Sequence, residues 1–166
     1  MSLETLWAGW RMAFLTDAVS EIPAEECVLC AIATGEDDDG AMIVFRGDAA
    51  YVVLNIYPYT SGHVMVVPYL HTARLGELEV GAKAEIFSLA ERAGEALERE
   101  YGCEGLNLGM NLGRAAGAGI ASHLHLHVVP RWVGDTNFMT SVANARVLPE
   151  SLAETRDRLR PYFAGS

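Results

Sequence analysis

The chain has 166 residues, with 22 acidic against 12 basic side chains, a net charge of −10 and 51% hydrophobic residues. That length supports one sizeable core and is too short to divide comfortably into two. The acidic excess argues against a general nucleic-acid surface, and no apolar run approaches the roughly 20 residues that a membrane helix needs.

The N-terminus lacks the basic-then-apolar pattern of a secretion signal, so a cytoplasmic protein is expected. Leu6 to Leu15 (LWAGWRMAFL) is rich in aromatic residues and is expected to dock on the body of the domain. Cys27 and Cys30 stand in the spacing C-V-L-C, which suits a metal or redox site better than a disulfide framework. An unmetallated pair of buried thiols is the plainer alternative. Gly35 to Gly40 (GEDDDG) reads as a solvated turn; its three aspartates lack the rest of a calcium-loop pattern.

Two β-rich runs follow, Met42 to Arg46 and Ala50 to Asn55, joined by the hairpin signal Gly47-Asp48. After the turn Tyr57-Pro58-Tyr59-Thr60-Ser61-Gly62, the segment His63 to Pro68 is a strand by its β-branched content. Leu78 to Tyr101 changes period. Ile86, Leu89, Ala90, Ala93, Leu97 and Tyr101 recur at steps of three and four, predicting an amphipathic helix with one buried stripe. Gly105 to Met110 and Ser122 to Pro130 read as two further strands around the Gly-rich connector Gly113 to Gly119, and Cys103 reads as packing. Ser151 followed by Glu154 forms a capping box that starts a terminal helix. The sum is an α+β domain: about five strands in an antiparallel sheet, one long helix and one C-terminal helix.

The charge is unevenly placed. No Asp or Glu occurs from Ala49 to Gly76 or from Gly105 to Gly134, yet all five histidines (His63, His71, His123, His125, His127) lie there. Asn55, Asn107, Asn111, Arg114 and Arg131 lie there too. Buried strands alone would exclude acids, but they would not gather histidines. If the stretches pair in space, they form a neutral-to-cationic pocket on an acidic body, suited to a small phosphate or carboxylate ligand.

His-Leu-His-Leu-His-Val-Val at His123 to Val129 is the most informative run. In a strand, alternate side chains share a face, so the three imidazoles project one way and Leu124, Leu126 and Val128 enter the core. Two chemistries suit such a row: metal chelation, or nucleophilic and acid/base work. A catalytic metal would want an acidic partner nearby, which these stretches lack. The nucleophilic reading needs donors for phosphate charge, and the flanking histidines, the connector's N–H groups, Ser122 and Asn111 offer them.

HLHLHVV resembles the signature of the histidine triad (HIT) family. Asn55 to Pro68 (NIYPYTSGHVMVVP) is similar to that family's ribose-side turn and following strand, and Asn111 to Gly113 leads into its phosphate loop. The N-terminal WRM, the PYxxGH turn and PRWxGDxNF at Pro130 to Phe138 look like the bacterial branch related to diadenosine tetraphosphate phosphorylase. The resemblance implies one HIT-like domain, with residues 1–26 as N-terminal extension, 27–132 as core and 133–166 as C-terminal extension.

It also implies a division of labour. His125 would attack the α-phosphorus of an adenosine nucleotide conjugate, forming a covalent nucleotidyl-histidine that water, or phosphate in a phosphorylase, releases. His127 would donate to phosphate oxygens, and His63 would support it. Asn55 would contact the ribose, while Asn111 and the loop through Gly119 to Ser122 would hold phosphate or leaving group. Ile32, Phe45 and Leu54 are candidate walls of the base pocket, or simply core. Family hydrolases often carry Gln where this chain has Gly119, and phosphorylase relatives tend to carry Ser; a glycine supplies only its N–H. Cys27, Cys30, His71 and His123 match the zinc ligands of metal-bearing relatives, so a structural zinc is expected, with no organic cofactor. A homodimer with a small-molecule substrate and no nucleic-acid or membrane partner completes the expectation. Trp7, Trp10 and Trp132 would serve a dimer contact or a substrate lid. The non-enzymatic alternative is an AMP-binding module without turnover.

Overall fold

The computed structural model describes residues 23–135 and 150–164. The aromatic segment from Leu6 to Leu15, with Trp7 and Trp10, lies outside the described residues, as do Asn137 and Phe138 of the PRWxGDxNF run. The elements in chain order are α1 (Val28–Thr34), β1 (Ile43–Arg46), β2 (Ala50–Leu54), β3 (Val64–Pro68), α2 (Val80–Tyr101), β4 (Gly105–Gly109), β5 (Leu126–Arg131) and α3 (Leu152–Leu159). Helix α1 was not anticipated. Its seven residues follow Cys27 directly, too short a run for a helical period to stand out. The other elements fall within a few residues of their expected bounds. The one substantial difference is β5, which starts at Leu126 rather than Ser122, so the first two histidines of the run precede the regular strand.

All strand pairs are antiparallel, in the order β1-β2-β3-β5-β4. The β1–β2 and β2–β3 neighbours are sequential, but β5 inserts between β3 and β4. This insertion places the two acid-free stretches side by side: Met65 faces His127, which in turn faces Gly109.

Both faces of the sheet are covered. On one, Val52, Leu54, Val66, Leu126 and Val128 pack against Ile86, Leu89, Ala90, Ala93 and Leu97 of α2, the stripe expected from its periodicity. Leu159 and Phe163 from the C-terminal segment close this core. On the other face, Ile43, Tyr51, Val53 and Val67 pack with Cys27 and Leu29, and the Tyr51 hydroxyl donates to the Leu29 carbonyl at 2.8 Å. The β1–β2 turn is fastened to α2 by the Glu85 carboxylate, which accepts the N–H groups of Asp48 and Ala49 at 2.7 Å each.

The capping box of α3 forms as expected, with the Ser151 hydroxyl accepting the Glu154 N–H while the Glu154 carboxylate accepts the Ser151 N–H. The GEDDDG aspartates are engaged in fold contacts rather than in a cation site. Asp37 accepts the Gly40 N–H, Asp38 pairs with Arg46, and Asp39 pairs with Arg160. Arg156 and Arg160 also donate to the main-chain carbonyls of Asp39 and Ile43, strapping the C-terminal segment to β1. Among the described residues, no helix is long and apolar enough to cross a membrane.

Candidate active site and the adjoining cysteine–histidine cluster

The three histidines of the run do not act as one row. His123 turns its ring into a cluster with Cys27, Cys30 and His71, whereas His125 and His127 gather with His63 from the start of β3. His125 and His127 meet edge to face with ring centroids 4.9 Å apart, and His127 lies 5.1 Å from His63. His63, His123 and His125 are buried and His127 is half-buried.

Hydrogen bonds assign the ring protons. The Tyr59 N–H donates to His63 Nδ1 at 3.1 Å, so that nitrogen carries no proton and Nε2 does. His63 Nε2–H then donates to His127 Nδ1 at 3.0 Å. The proton of neutral His127 is therefore on Nε2. His125 Nδ1 lies 2.8 Å from the His123 carbonyl, which can only accept, so His125 holds its proton on Nδ1 and keeps a lone pair on Nε2. One imidazole thus offers a nucleophilic nitrogen, and its neighbour offers an N–H donor.

Burial keeps both rings uncharged at neutral pH. It depresses the affinity of His125 for a second proton, against a smaller opposing effect of the His123 carbonyl. His127 is pushed down to about 4, first by desolvation and then by His125. The unfolded chain binds a proton at this imidazole near the ordinary value of 6.5, and the folded chain resists until about 4. Stability from this group is therefore complete above 6.5 and declines as pH falls toward 4. The loss expected across that window is about 2 kcal/mol, after allowing for the exposed part of the ring. Melting curves from pH 7 to pH 4 on the wild type and on His127→Gln measure it; parallel curves would count against the assignment.

The remaining expected site residues are placed as follows. Asn55 shapes the turn that delivers Tyr59 and His63: its Oδ1 accepts the Tyr57 N–H at 2.9 Å, and its amide nitrogen lies 3.4 Å from His63 Nδ1. Asn111, Gly119 and Ser122 all lie on the connector between β4 and β5. Three of that connector's N–H groups, on Ala116, Gly117 and Ala118, turn back onto the carbonyls of Gly113 and Arg114. Those three are turned away from a ligand, whereas the N–H groups of Gly119 to Ser122 have no backbone partner among the described residues.

Phe45 and Leu54 pack in the α2-side core, on the face opposite His127, and Phe45 stacks on Phe163 at 5.5 Å. Of the three candidate base-pocket walls, only Ile32 lies on the histidine side. Arg131 is also diverted from anion binding. Asp135, one residue beyond the acid-free stretch, accepts from its guanidinium at 2.8 Å, and Asn107 accepts at the same distance. Trp132 is half-buried, and its main-chain N–H donates to Asp135 at 3.2 Å.

The cysteine–histidine cluster has its own geometry. One donor atom from each of Cys27, Cys30, His71 and His123 lies within 4.8 Å of the others. His123 Nδ1 is 3.4 Å from both sulfurs, and His71 Nδ1 is 3.2 Å from Cys30 Sγ. Tetrahedral zinc with ordinary bond lengths would put sulfur and nitrogen about 3.5 Å apart. His123 Nε2–H donates to the Pro68 carbonyl at 2.9 Å, which leaves Nδ1 unprotonated toward the sulfurs. The Cys30 thiol is pushed up to about 11, by burial first and then by Cys27. The donor set, its spacing and its tautomer all fit a thiophilic divalent ion.

This arrangement, a lone-pair imidazole and an N–H imidazole two residues apart at the entry to β5, with a third histidine from the residue preceding β3 feeding the second, belongs to the histidine triad class. A model of the HIT domain matches residues 37–133, and the chain is a member of that family. An AP-4-A phosphorylase of Mycobacterium tuberculosis is 38% identical to it over 169 residues, spanning 98% of this chain and 85% of that protein. Among solved structures, a zinc-bound histidine triad family protein from Mycobacterium smegmatis is similar with a TM-score of 0.69 and 30% identity, covering 85% of this chain and 95% of that one. A histidine triad nucleotide-binding protein from Sulfolobus tokodaii gives a TM-score of 0.66 at 26% identity, covering 82% and 91%.

Proposed function

We propose that the protein is a nucleotidyl-transferring enzyme that attacks the α-phosphorus of an adenosine nucleotide conjugate through His125. The observation that carries this reading is the bond from His125 Nδ1–H to the His123 carbonyl, which fixes the tautomer and leaves Nε2 as the nucleophile beside His127. Diadenosine tetraphosphate serves as the worked substrate. Nε2 forms a bond to the α-phosphorus, the bond to the bridging oxygen breaks, and ATP leaves with that electron pair. Nδ1 keeps its proton throughout. His127 Nε2–H donates to the phosphate oxygens, and the loop from Gly119 to Ser122 with Asn111 holds the remaining charge. In this reading Asn55 contacts the ribose.

A phosphate oxygen then attacks the same phosphorus, releasing ADP and free His125. The 38% identity to an AP-4-A phosphorylase along almost the whole chain favours phosphate over water in this second step. Gly119 is compatible with either, since it offers only an N–H. Incubation with diadenosine tetraphosphate, with and without phosphate, tests the reading. ADP and ATP appearing only with phosphate is the expected result; AMP and ATP regardless of phosphate would make the enzyme a hydrolase, and tight AMP binding without turnover would make it a binding module.

Zinc is the metal we assign to Cys27, Cys30, His71 and His123, in a structural role. When bound, it would neutralise the two thiolates and tie the start of α1 to the segments after β3 and before β5. Metal analysis of unchelated protein should give one zinc per chain, and a metal-free preparation would remove this assignment. The same reading makes the protein a cytoplasmic homodimer: a reducing compartment suits paired thiolates. Val80 and Phe87, 82% and 60% exposed on α2, offer an apolar partner surface, and β4 is an edge strand among the described residues. Sedimentation gives the oligomeric state.

A further inference from the structure

His123 takes part in both sites, and by different atoms. Its ring faces Cys27 and Cys30, and its main-chain carbonyl accepts the proton that fixes the tautomer of His125. The sheet does not hold this stretch. The ladder to β3 begins at Leu126 and the ladder to β4 at His127, so His123, Leu124 and His125 all precede it. Apart from the Leu124 side chain, which is buried in the α2-side core, what holds the stretch comes from the cysteine–histidine cluster and its immediate surroundings. The Leu124 N–H donates at 2.8 Å to the carbonyl of Thr72, the residue after His71. The His123 ring is held between the Pro68 carbonyl and the two sulfurs.

We infer that His123 is a positioning residue, and that a metal ion in the cysteine–histidine cluster sets the orientation of the His125 nucleophile through the His123 main chain. With the ion bound, the ring of His123 is locked, its carbonyl is aimed at His125 Nδ1, and the nucleophilic nitrogen faces substrate in a single tautomer. With the ion removed, the sulfurs no longer gather the two ligand imidazoles, and the carbonyl loses its fixed direction. The metal in this role touches neither substrate nor phosphate. Its effect is confined to the rate at which Nε2 attacks, and nucleotide affinity, set by the loop from Gly119 to Ser122, is spared. The consequence is a control point: any agent that empties the cluster, such as a chelator, slows the enzyme without chemically modifying His125.

This inference rests on the metal reading of the cluster, and the two are tested separately. Zinc titration into chelated full-length protein reports the first, and no binding would overturn both. The second is read by nitrogen-15 NMR of the imidazoles and by single-turnover capture of the nucleotidyl-enzyme. In zinc-loaded protein, His125 should show one Nδ1–H tautomer. In metal-free protein, the tautomers should mix and capture should slow by about 10-fold to 100-fold, the usual effect of losing an outer-shell contact of a metal site, while AMP affinity changes less than about twofold. An unchanged tautomer and capture rate after metal removal would overturn the inference alone.

Where the metal-free chain loses its fold, zinc-loaded His123→Cys decides the matter. It keeps a metal ligand and the carbonyl but lacks the imidazole, and should retain the His125 tautomer and most of the capture rate. Behaviour equal to that of His123→Ala would mean that the ring itself, rather than the tethered main chain, is what His125 requires.

Discussion

His125→Ala should abolish turnover while leaving AMP binding nearly intact. The side chain supplies the bond-forming atom, and neither neighbouring histidine of the run can replace it. His127 holds its lone-pair nitrogen toward His63 and presents only an N–H outward, while the lone pair of His123 points at the sulfurs of Cys27 and Cys30. Losing a nucleophile typically costs on the order of 10,000-fold or more in rate. His127→Ala removes one stabilising donor and should cost only about 100-fold. Single-turnover kinetics with trapping of the nucleotidyl-enzyme separates the two, since the first variant should form no adduct and the second should form it slowly. Near-normal turnover in His125→Ala would remove the covalent mechanism. Equal losses in both variants would indicate that the pair works as one acid/base unit with a different nucleophile.

Gly62→Ala should be the most damaging substitution to the fold among the glycines that border the site. Gly62 has φ of +82°, a conformation that costs a side-chain-bearing residue about 1–2 kcal/mol. Space adds to the cost. A Cβ there would lie 2.6 Å from Leu97 Cδ2 and 3.4 Å from Pro130 Cγ, and Leu97 is fully buried in the α2-side core. Forcing a methyl group into a packed core costs a further 1–3 kcal/mol or so, for a total near 3 kcal/mol. The melting temperature should fall by roughly 6–12 °C. His63 would shift with its neighbour, so activity should fall as well. Gly102→Ala is the control: φ is +58° there, but a Cβ meets nothing within 4 Å, so only the backbone cost of about 1 kcal/mol remains. Equal melting temperatures for the two variants would show that the Leu97 contact relaxes freely.

The contrast at Gly62 also explains why the G-H step of the PYTSGH turn could be recognised in the sequence. One residue type satisfies both the positive φ and the approach of Leu97, so the requirement is written into a single position. The stripe of α2 was legible for a related reason: Ile86, Leu89, Ala90, Ala93 and Leu97 face one core, and the helical period records that fact directly. Helix α1 left no such record, because seven residues give barely two turns and its burial is concentrated at Leu29. Phe45 and Leu54 could be read as pocket or core. Strand alternation divides the residues between two faces but does not say which face carries the site.

The sequence by itself determined the chemistry that this protein can carry: an α+β sheet, five histidines kept away from acids, a paired cysteine motif and the HIT signature. Those properties reside in residue identity and short-range period, which local stereochemistry fixes. The tertiary structure alone decided how the histidines are divided. His123 joins the cysteines and His125 joins His127 and His63 because β5 inserts between β3 and β4, and because His123 to His125 lie ahead of its ladder and are free of the alternation that a regular strand would impose. Ring tautomers follow from the same placement. They depend on carbonyls and N–H groups contributed by Pro68, Tyr59 and the main chain of His123, partners whose positions no spacing along the chain specifies.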